Sequence, residues 1–231
     1  MKLIVANFKM NLLKEDILEY VKHFNKKESN VIFCPSNIYL NYFLEKDLNV
    51  GSQDASFEEK GAFTGDVSAS QLKSIGVKYT IIGHSERRKY HNDDKYVNNK
   101  LICALNNSLI PILCIGETKE QRENNETYQV LEKQLNEALN NINSDLLSNI
   151  IIAYEPVWSI GTGIIPSNYD IYNTISFIKE YLQKRPPRSS CWRWEHKSAR
   201  WSRPILQQSP PRGRRLHRSS DRNPSRHFPC C

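Results

Sequence analysis

The sequence predicts an α/β fold in which short buried strands alternate with amphipathic helices around a parallel sheet. Six apolar, β-branched runs recur at intervals of roughly 17 to 40 residues, beginning near Leu3, Val31, Leu48, Tyr79, Ile110 and Ile150. The runs are continuously apolar rather than alternating, which is expected of strands that are covered on both faces. Longer stretches with helical periodicity separate them, so the pattern indicates repeated βα units.

Three of the intervening stretches have an apolar residue at every third or fourth position, as a helix with one buried face requires. The stripes are Leu13, Ile17, Val21 and Phe24; Leu131, Leu135, Leu139 and Ile142; and Ile171, Ile175, Ile178 and Leu182. We interpret these stripes as packing against the sheet. Ser68 precedes a short helix and marks its start, because a serine side chain can accept a hydrogen bond from the first helical turn.

Composition divides the chain near residue 184. Residues 1–184 hold 20 Lys and Arg against 23 Asp and Glu, whereas residues 185–231 hold 12 against 2. The net charge of +7 therefore comes from the second part, which is also rich in Pro and Ser. We expect a folded α/β body at 1–184 and a disordered basic tail at 185–231, because the tail has too few apolar residues for a core.

Cysteine usage and hydropathy point to a cytoplasmic protein. Cys34, Cys103 and Cys114 lie in apolar runs and are expected to be buried, reduced thiols. The sequence has no leader-like segment, no run long enough to span a membrane and no paired CxxC spacing that would favour zinc. We expect neither a metal nor a cofactor.

Two chemically capable side chains stand at the ends of predicted strands. Lys9 follows the first strand and could supply a fixed cation to an anionic intermediate, although a solvated lysine is the alternative. His84 follows the fourth strand, and the next residues suit the first turn of a helix, whose dipole disfavours a protonated imidazole. A neutral histidine could donate a hydrogen bond to a carbonyl group; an ordinary helix cap is the competing interpretation.

The sixth predicted strand ends in Glu155, which is followed by a rigid Pro-Val-Trp and a flexible Ile-Gly-Thr-Gly. Partial desolvation there is expected to raise the pKa of Glu155 and make it a stronger base. Gly161 and Gly163 allow the following loop to change conformation and bring backbone N–H groups against a phosphate. A glycine loop without function remains an alternative. Together, Lys9, His84 and Glu155 occupy the carboxyl ends of three parallel strands, where α/β barrels assemble active sites.

With these residues identified, residues 1–184 resemble the triosephosphate isomerase family. Five motifs match in order, namely Asn-Phe-Lys-Met-Asn at 7–11, Gly-Ala-Phe-Thr-Gly at 61–65, Gly-His-Ser-Glu-Arg-Arg at 83–88, Pro-Ile-Leu-Cys-Ile-Gly-Glu at 111–117, and the segment 153–163. The resemblance implies a (β/α)8 TIM barrel of which six of the eight βα units are recognisable here.

The family interconverts dihydroxyacetone phosphate and glyceraldehyde 3-phosphate through an enediolate without a cofactor, and it is itself a standard example of pKa tuning and lid closure. The resemblance implies that Glu155 moves the proton and that neutral His84 acts on the carbonyl oxygens. It also implies that Lys9 stabilises negative charge, with Glu86 beside it. Asn7 would contact the substrate, and Gly161 would give its N–H to the phosphate.

The resemblance further implies a homodimer. Its contact would be the loop from residue 53 to residue 66, where Phe57 and Phe63 would otherwise be exposed without reason. Two departures from the family are evident: the lid ends in Ile-Ile-Pro at 164–166, and strands seven and eight with their phosphate loops are not recognisable after residue 184. We therefore expect unpaired sheet edges at the first and sixth strands, and little isomerase activity unless the missing quarter is supplied.

The tail admits two further hypotheses. Its abrupt change from Lys to Arg suggests a shifted reading frame after residue 184, which retranslation of the coding sequence would test. The alternative to an isomerase is a non-catalytic barrel fragment whose basic tail, with Trp192, Trp194 and Trp201, binds nucleic acid or another acidic partner. A solvated tail without a partner is the simpler interpretation, so we do not expect nucleic-acid binding.

Overall fold

Six parallel strands form one curled sheet, a partial (β/α)8 barrel, in the order β1-β2-β3-β4-β5-β6. The computed structural model describes residues 3–24 and 30–184. The strands are β1 (Ile4–Asn7), β2 (Val31–Cys34), β3 (Asn49–Ser52), β4 (Tyr79–Ile82), β5 (Ile110–Ile115) and β6 (Ile151–Tyr154). Each begins within one residue of its predicted start. The disordered basic tail expected at 185–231, and the nucleic-acid partner considered for it, concern residues outside the described part.

Helices follow the strands and cover one face of the sheet. In the described residues the α-helices are α1 (Lys14–Lys22), α2 (Leu40–Leu44), α3 (Ala69–Ser74), α4 (Ser85–His91), α5 (Val97–Asn106), α6 (Lys119–Glu123), α7 (Thr127–Ala138), α8 (Ser144–Leu147) and α9 (Asn168–Lys184). Short 3₁₀ turns lie at Asn37–Tyr39, Asp93–Tyr96 and Val157–Ser159.

Helix boundaries follow from local sequence chemistry. Ser68 caps α3 by accepting a hydrogen bond from the N–H of Gln71, whose side chain in turn accepts from the N–H of Ser68. Ile17 and Val21 of the first predicted stripe are buried, but Leu13 is 68% exposed. Leu13 is the residue before the first helical turn, so it does not share the buried face of α1.

The sheet separates two apolar layers. The outer layer lies between sheet and helices and includes Phe33, Phe43, Leu101 and Leu135. The inner layer lies on the opposite face of the sheet and consists of Ile32, Cys34, Ile81, Ile112 and Cys114. Cys34, Cys103 and Cys114 are buried and free, as expected.

The curled sheet has two edges, as expected. Among residues 3–24 and 30–184, β1 pairs only with β2, and β6 pairs only with β5. All four residues of β6 are only half-buried, whereas those of β2 are fully buried. No helix in this part of the chain is long and apolar enough to cross a membrane.

Candidate active site

His84 is fixed at the start of α4. It is the N-cap residue of that helix, and its Nδ1 accepts the N–H of Glu86 at 3.2 Å. A nitrogen that accepts a hydrogen bond carries no proton, so Nε2 carries the single proton of a neutral imidazole. The residue is buried, and Nε2 is therefore directed to a specific partner rather than to solvent.

That partner is Glu155, the first residue after β6. Its backbone N–H donates to the carbonyl of Ile115 at 2.8 Å, which continues the pairing of β6 with β5. Its Oε1 lies 2.9 Å from His84 Nε2, and its Oε2 accepts the N–H of Ser85 at 3.1 Å. The side chains that follow β4 and β6 thus meet at the carboxyl ends of the strands.

The expectation that burial raises the pKa of Glu155 is wrong in its net direction. Burial does act to raise this pKa, but the hydrogen bonds from His84 and Ser85 act against it, and the pKa of Glu155 lies below its ordinary value. Sequence reasoning included the strand-end environment but not the two donors, because neither is a neighbour of Glu155 in the chain. The carboxyl group is therefore held in its charged form in this arrangement.

Lys9 adopts a left-handed backbone conformation with φ of 52°. Its N–H donates to Asn7 Oδ1 at 3.0 Å, and its carbonyl accepts from Ser36 and Gln53. The ammonium lies 2.8 Å from Glu86 Oε1, so Glu86 does stand beside Lys9. These contacts hold the lysine at the end of β1.

Four of the five sequence-predicted site residues are connected by short contacts. Asn7 contacts Lys9, Lys9 contacts Glu86, and the backbone N–H of Glu86 donates to His84 Nδ1 at 3.2 Å. His84 then reaches Glu155. The residues therefore form one continuous polar chain across the carboxyl ends of β1, β4 and β6.

Gly161, the fifth predicted residue, lies in the exposed loop after β6. Its φ is +70°, and a Cβ placed on it would meet no atom within 4 Å. Gly163 has a φ of +76° and equally open surroundings. Both glycines therefore serve the backbone conformation of the loop rather than close packing.

The base of this loop is anchored on a buried carboxylate that sequence reasoning did not single out. Glu117 is 0% exposed and accepts the indole N–H of Trp158 at 2.8 Å and the hydroxyl of Tyr154 at 3.0 Å. The Arg122 guanidinium lies 4.4 Å from the centre of the Trp158 ring and also pairs with Asp170 on α9. Burial, followed by the charge of Glu117, raises the pKa of Tyr154, so its hydroxyl remains a donor.

Gly116 and Gln134 support Glu155 from behind and were also not identified in advance. A Cβ on Gly116 would lie 1.7 Å from the Glu155 carbonyl oxygen, so only glycine fits. The Gln134 side chain accepts the N–H of Gly116 at 2.9 Å and donates to its carbonyl at 3.1 Å. The motif at 111–117 contains Gly116 and could have indicated its importance, but no sequence pattern around Gln134 indicates its role.

A buried ion network joins the end of β3 to α4 and α5. The Lys100 ammonium contacts Asp93 Oδ2 at 2.6 Å and Asp54 Oδ2 at 2.8 Å. Arg87 Nε lies 2.9 Å from the same oxygen of Asp54. Burial raises the pKa of Asp54 despite these two cations. The network fixes the beginning of the loop from residue 53 to residue 66. In residues 3–24 and 30–184, no cluster of His, Cys, Asp and Glu is suited to a metal ion.

A curled parallel sheet with a polar chain across the carboxyl ends of its strands defines an enzyme of the α/β-barrel class. A family model described as triosephosphate isomerase matches residues 2–190. The chain is 42% identical over 193 residues to the triosephosphate isomerase of Malacoplasma penetrans, a match that covers 79% of this chain and 77% of that protein. The triosephosphate isomerase of Alkaliphilus oremlandii is 38% identical over 192 residues, with the same shares of each chain. That of Clostridium botulinum strain Loch Maree is 40% identical over 190 residues, covering 78% and 77%. The chain belongs to the triosephosphate isomerase family.

Proposed function

We propose that this chain interconverts dihydroxyacetone phosphate and glyceraldehyde 3-phosphate, as an intramolecular aldose–ketose isomerase of glycolysis and gluconeogenesis. The observation that carries the proposal is the 2.9 Å contact between Glu155 Oε1 and His84 Nε2 at the carboxyl ends of β6 and β4. A carboxylate base next to a neutral hydrogen-bond donor is the pair that proton transfer beside a carbonyl group requires.

In the proposed reaction, Glu155 removes a proton from the carbon next to the substrate carbonyl. His84 donates from Nε2 to the carbonyl oxygen as negative charge develops there, and an enediolate forms. The proton on Glu155 then goes to the former carbonyl carbon, while the proton of the adjacent hydroxyl passes to the former carbonyl oxygen by way of His84 Nε2. His84 ends in its starting form, so the substrate gains and loses no atoms overall. The reaction needs neither a metal nor a redox cofactor in this scheme.

The low pKa of Glu155 fits a resting state of this reaction. In the present contacts the carboxylate is ionised and ready to accept a proton, but the bonds from His84 and Ser85 make it a weak base. A substrate that takes over the His84 donor would remove one of these bonds. Burial would then raise the pKa of Glu155 and strengthen it as a base.

Lys9 supplies the fixed cation in this proposal, and its pairing with Glu86 holds the ammonium at the end of β1. Asn7 contacts the substrate near Lys9. Gly161 donates its backbone N–H to the substrate phosphate when the loop closes. The open surroundings of Gly161 leave its backbone room for that change.

We further propose that the protein works in the cytoplasm as a homodimer through the loop from residue 53 to residue 66. Phe57 of this loop stacks on Tyr96 with ring centres 4.2 Å apart, while Phe63 is 41% exposed at its edge. In this proposal, Phe63 is the aromatic side chain that the anchored loop presents to the partner subunit. Light scattering should give twice the chain mass, and Phe63→Ser should shift the mass to that of one chain.

Proton exchange tests the catalytic proposal even when full turnover is slow. The full chain is incubated with dihydroxyacetone phosphate in D₂O, and loss of the substrate C–H signal is followed by NMR. We expect exchange that Glu155→Gln abolishes and that the matched control Glu137→Gln, at an exposed carboxylate on α7, leaves unchanged. Exchange that persists in a folded Glu155→Gln variant would refute the assignment of the base.

A coupled assay in both directions measures the complete reaction. Because β1 and β6 are edges in the described part of the chain, we expect turnover by the chain alone to be low. Turnover comparable to that of the Alkaliphilus oremlandii enzyme would contradict this expectation.

A further inference from the structure

Two side chains take the place of strand backbone beside the last part of β5. Ile110 donates its N–H at 2.8 Å to the residue just before β4, whereas the carbonyl of Ile115 accepts from Glu155 after β6. In a parallel strand, successive residues direct their N–H and C=O groups to opposite sides. Cys114 and Gly116, at even positions like Ile110, therefore direct their backbone groups toward the side of β4.

β4 ends before it can meet these groups. It pairs with β5 as far as Ile82, because Gly83 then turns the chain with a φ of +72° and α4 follows. The carbonyl of His84 accepts the N–H of Arg88 within α4 at 3.1 Å. The turn that brings His84 to Glu155 thus removes the strand from beside the end of β5.

Arg88 and Gln134 occupy this side of β5. Arg88 donates from Nη2 to the carbonyl of Cys114 at 3.1 Å and from Nε to the carbonyl of Gly83 at 2.7 Å. The Gln134 carboxamide, on α7, accepts the N–H of Gly116 at 2.9 Å and donates to its carbonyl at 3.1 Å. A carboxamide has the donor and the acceptor of a peptide group, so Gln134 continues the ladder of β5 where β4 has ended.

Gly116 links Gln134 to the proposed base. A Cβ on Gly116 would lie 1.7 Å from the carbonyl oxygen of Glu155 and 2.7 Å from its carbonyl carbon, so the two backbones pack directly against each other. The N–H of Glu155 is bound at 2.8 Å to the carbonyl of Ile115, the residue before Gly116. A shift of Gly116 therefore moves the backbone that carries the Glu155 side chain.

We propose that Gln134 is a positioning residue for Glu155. Through Gly116, its carboxamide sets the 2.9 Å contact between Glu155 Oε1 and His84 Nε2. The effect of this contact on the reaction rests on the proposed function. In Gln134→Met, a side chain of similar length loses both hydrogen bonds to Gly116, which is then no longer held against the Glu155 backbone. Glu155 should therefore shift away from His84.

Proton exchange on dihydroxyacetone phosphate in D₂O, with the full chain, measures the effect on the reaction. The variant is Gln134→Met, and the matched control is Gln129→Met, at an exposed glutamine on the same helix. We expect Gln134→Met to lower the exchange rate at saturating substrate by at least about tenfold, because a displacement of roughly 1 Å misaligns the base. The half-saturating concentration should change by less than about twofold, since substrate binding at Lys9 does not pass through Gly116.

The proton on His84 Nε2 gives a readout that a loss of stability alone would not move. A charge-assisted hydrogen bond to a carboxylate shifts an imidazole N–H resonance downfield in NMR spectra. This resonance should move upfield, or be lost through exchange with water, in Gln134→Met and stay in place in Gln129→Met. Urea unfolding of the same samples gives the folded fraction, so that exchange rates are expressed per folded molecule.

Gln134→Glu is the second variant, to be used if Gln134→Met does not fold. Its carboxylate accepts the N–H of Gly116 but, when ionised, cannot donate to the carbonyl of Gly116. The exchange rate at saturating substrate should fall by at least about threefold, with the same change in the His84 resonance.

Two results would overturn the proposal. An unchanged exchange rate per folded molecule in the Gln134 variant would show that its contact with Gly116 only attaches α7 to β5. An unchanged His84 resonance would show that the contact with Glu155 does not depend on Gln134. Absence of proton exchange in the unaltered chain would instead refute the proposed function, and the His84 resonance would still decide whether Gln134 positions Glu155.

Discussion

Replacing Lys100 with methionine should destabilise the fold strongly, because it leaves buried Asp93 and half-buried Asp54 without their main cation. Lys100 is only 3% exposed, and its ammonium lies 2.6 Å from Asp93 and 2.8 Å from Asp54. After the substitution, the nearest cation to Asp93 is Arg87, whose Nε is 3.9 Å away. Removing one member of a buried ion pair costs about 3–5 kcal/mol. Against a total of roughly 5–15 kcal/mol for a domain, this is a large fraction of the free energy of unfolding.

Urea unfolding followed by circular dichroism at neutral pH measures this loss. The matched control is Lys133→Met, since Lys133 is 74% exposed and its ammonium lies 3.9 Å from Glu137. We expect the control to lose no more than about 0.5 kcal/mol. The difference between Lys100→Met and the unaltered chain should shrink in acid, where Asp54, whose pKa burial already raises, can take up a proton. A loss below about 1 kcal/mol at neutral pH would show that the network is not coupled to folding, and would refute the reasoning.

Three further predictions concern Glu155 and the loop after it. Gly116→Ala places a Cβ 1.7 Å from the Glu155 carbonyl oxygen and should displace Glu155 by more than about 1 Å. Proton exchange on dihydroxyacetone phosphate should then fall roughly a hundredfold. An unchanged exchange rate would contradict this prediction. Because the folded-state pKa of Glu155 is low, its carboxylate contributes stability that is lost as the pH falls below about 4.5, so urea midpoints should fall more steeply in acid for the unaltered chain than for Glu155→Gln. Parallel slopes would argue against the shift. Trp158→Phe keeps a ring but removes a donor to buried Glu117, and should cost about 1–3 kcal/mol in the same unfolding experiment; no loss would show that the contact is dispensable.

The sheet was predictable because each strand is a continuous apolar run bounded by polar residues. The run starting at Tyr79 illustrates this, since β4 occupies Tyr79–Ile82 and ends where Gly83 changes the direction of the chain with a φ of +72°. The helices were equally predictable in their central parts, where the apolar stripes lie. Their ends were less so, because Leu13 has the spacing of a buried residue but precedes the first turn. Periodicity identifies a face, whereas hydrogen bonds decide where the helix begins.

The site was predictable in its positions and less so in its electrostatics. Because each of them follows a predicted strand, Lys9, His84 and Glu155 were expected together at the carboxyl ends of the parallel strands. The direction of the Glu155 pKa depended on donors that lie 70 residues or so earlier in the chain, and no local pattern reveals them. Gln134 is a similar case, because its contact with Gly116 joins a helix to a strand end. Sequence motifs indicate candidate site residues, whereas the residues that contact them depend on packing between distant segments of the chain.

Because the backbone of Lys9 is left-handed, selection for stability and selection for catalysis should favour different residues at this position. A residue with a Cβ and a φ of 52° costs roughly 1–2 kcal/mol relative to glycine, which adopts this conformation freely. A library at position 9 screened only for heat resistance should therefore accumulate Gly and Asn. The same library screened for isomerase turnover should retain Lys, since neither Gly nor Asn places an ammonium beside Glu86. Position 9 would then show in a single residue the exchange of stability for activity that proteins usually distribute over many.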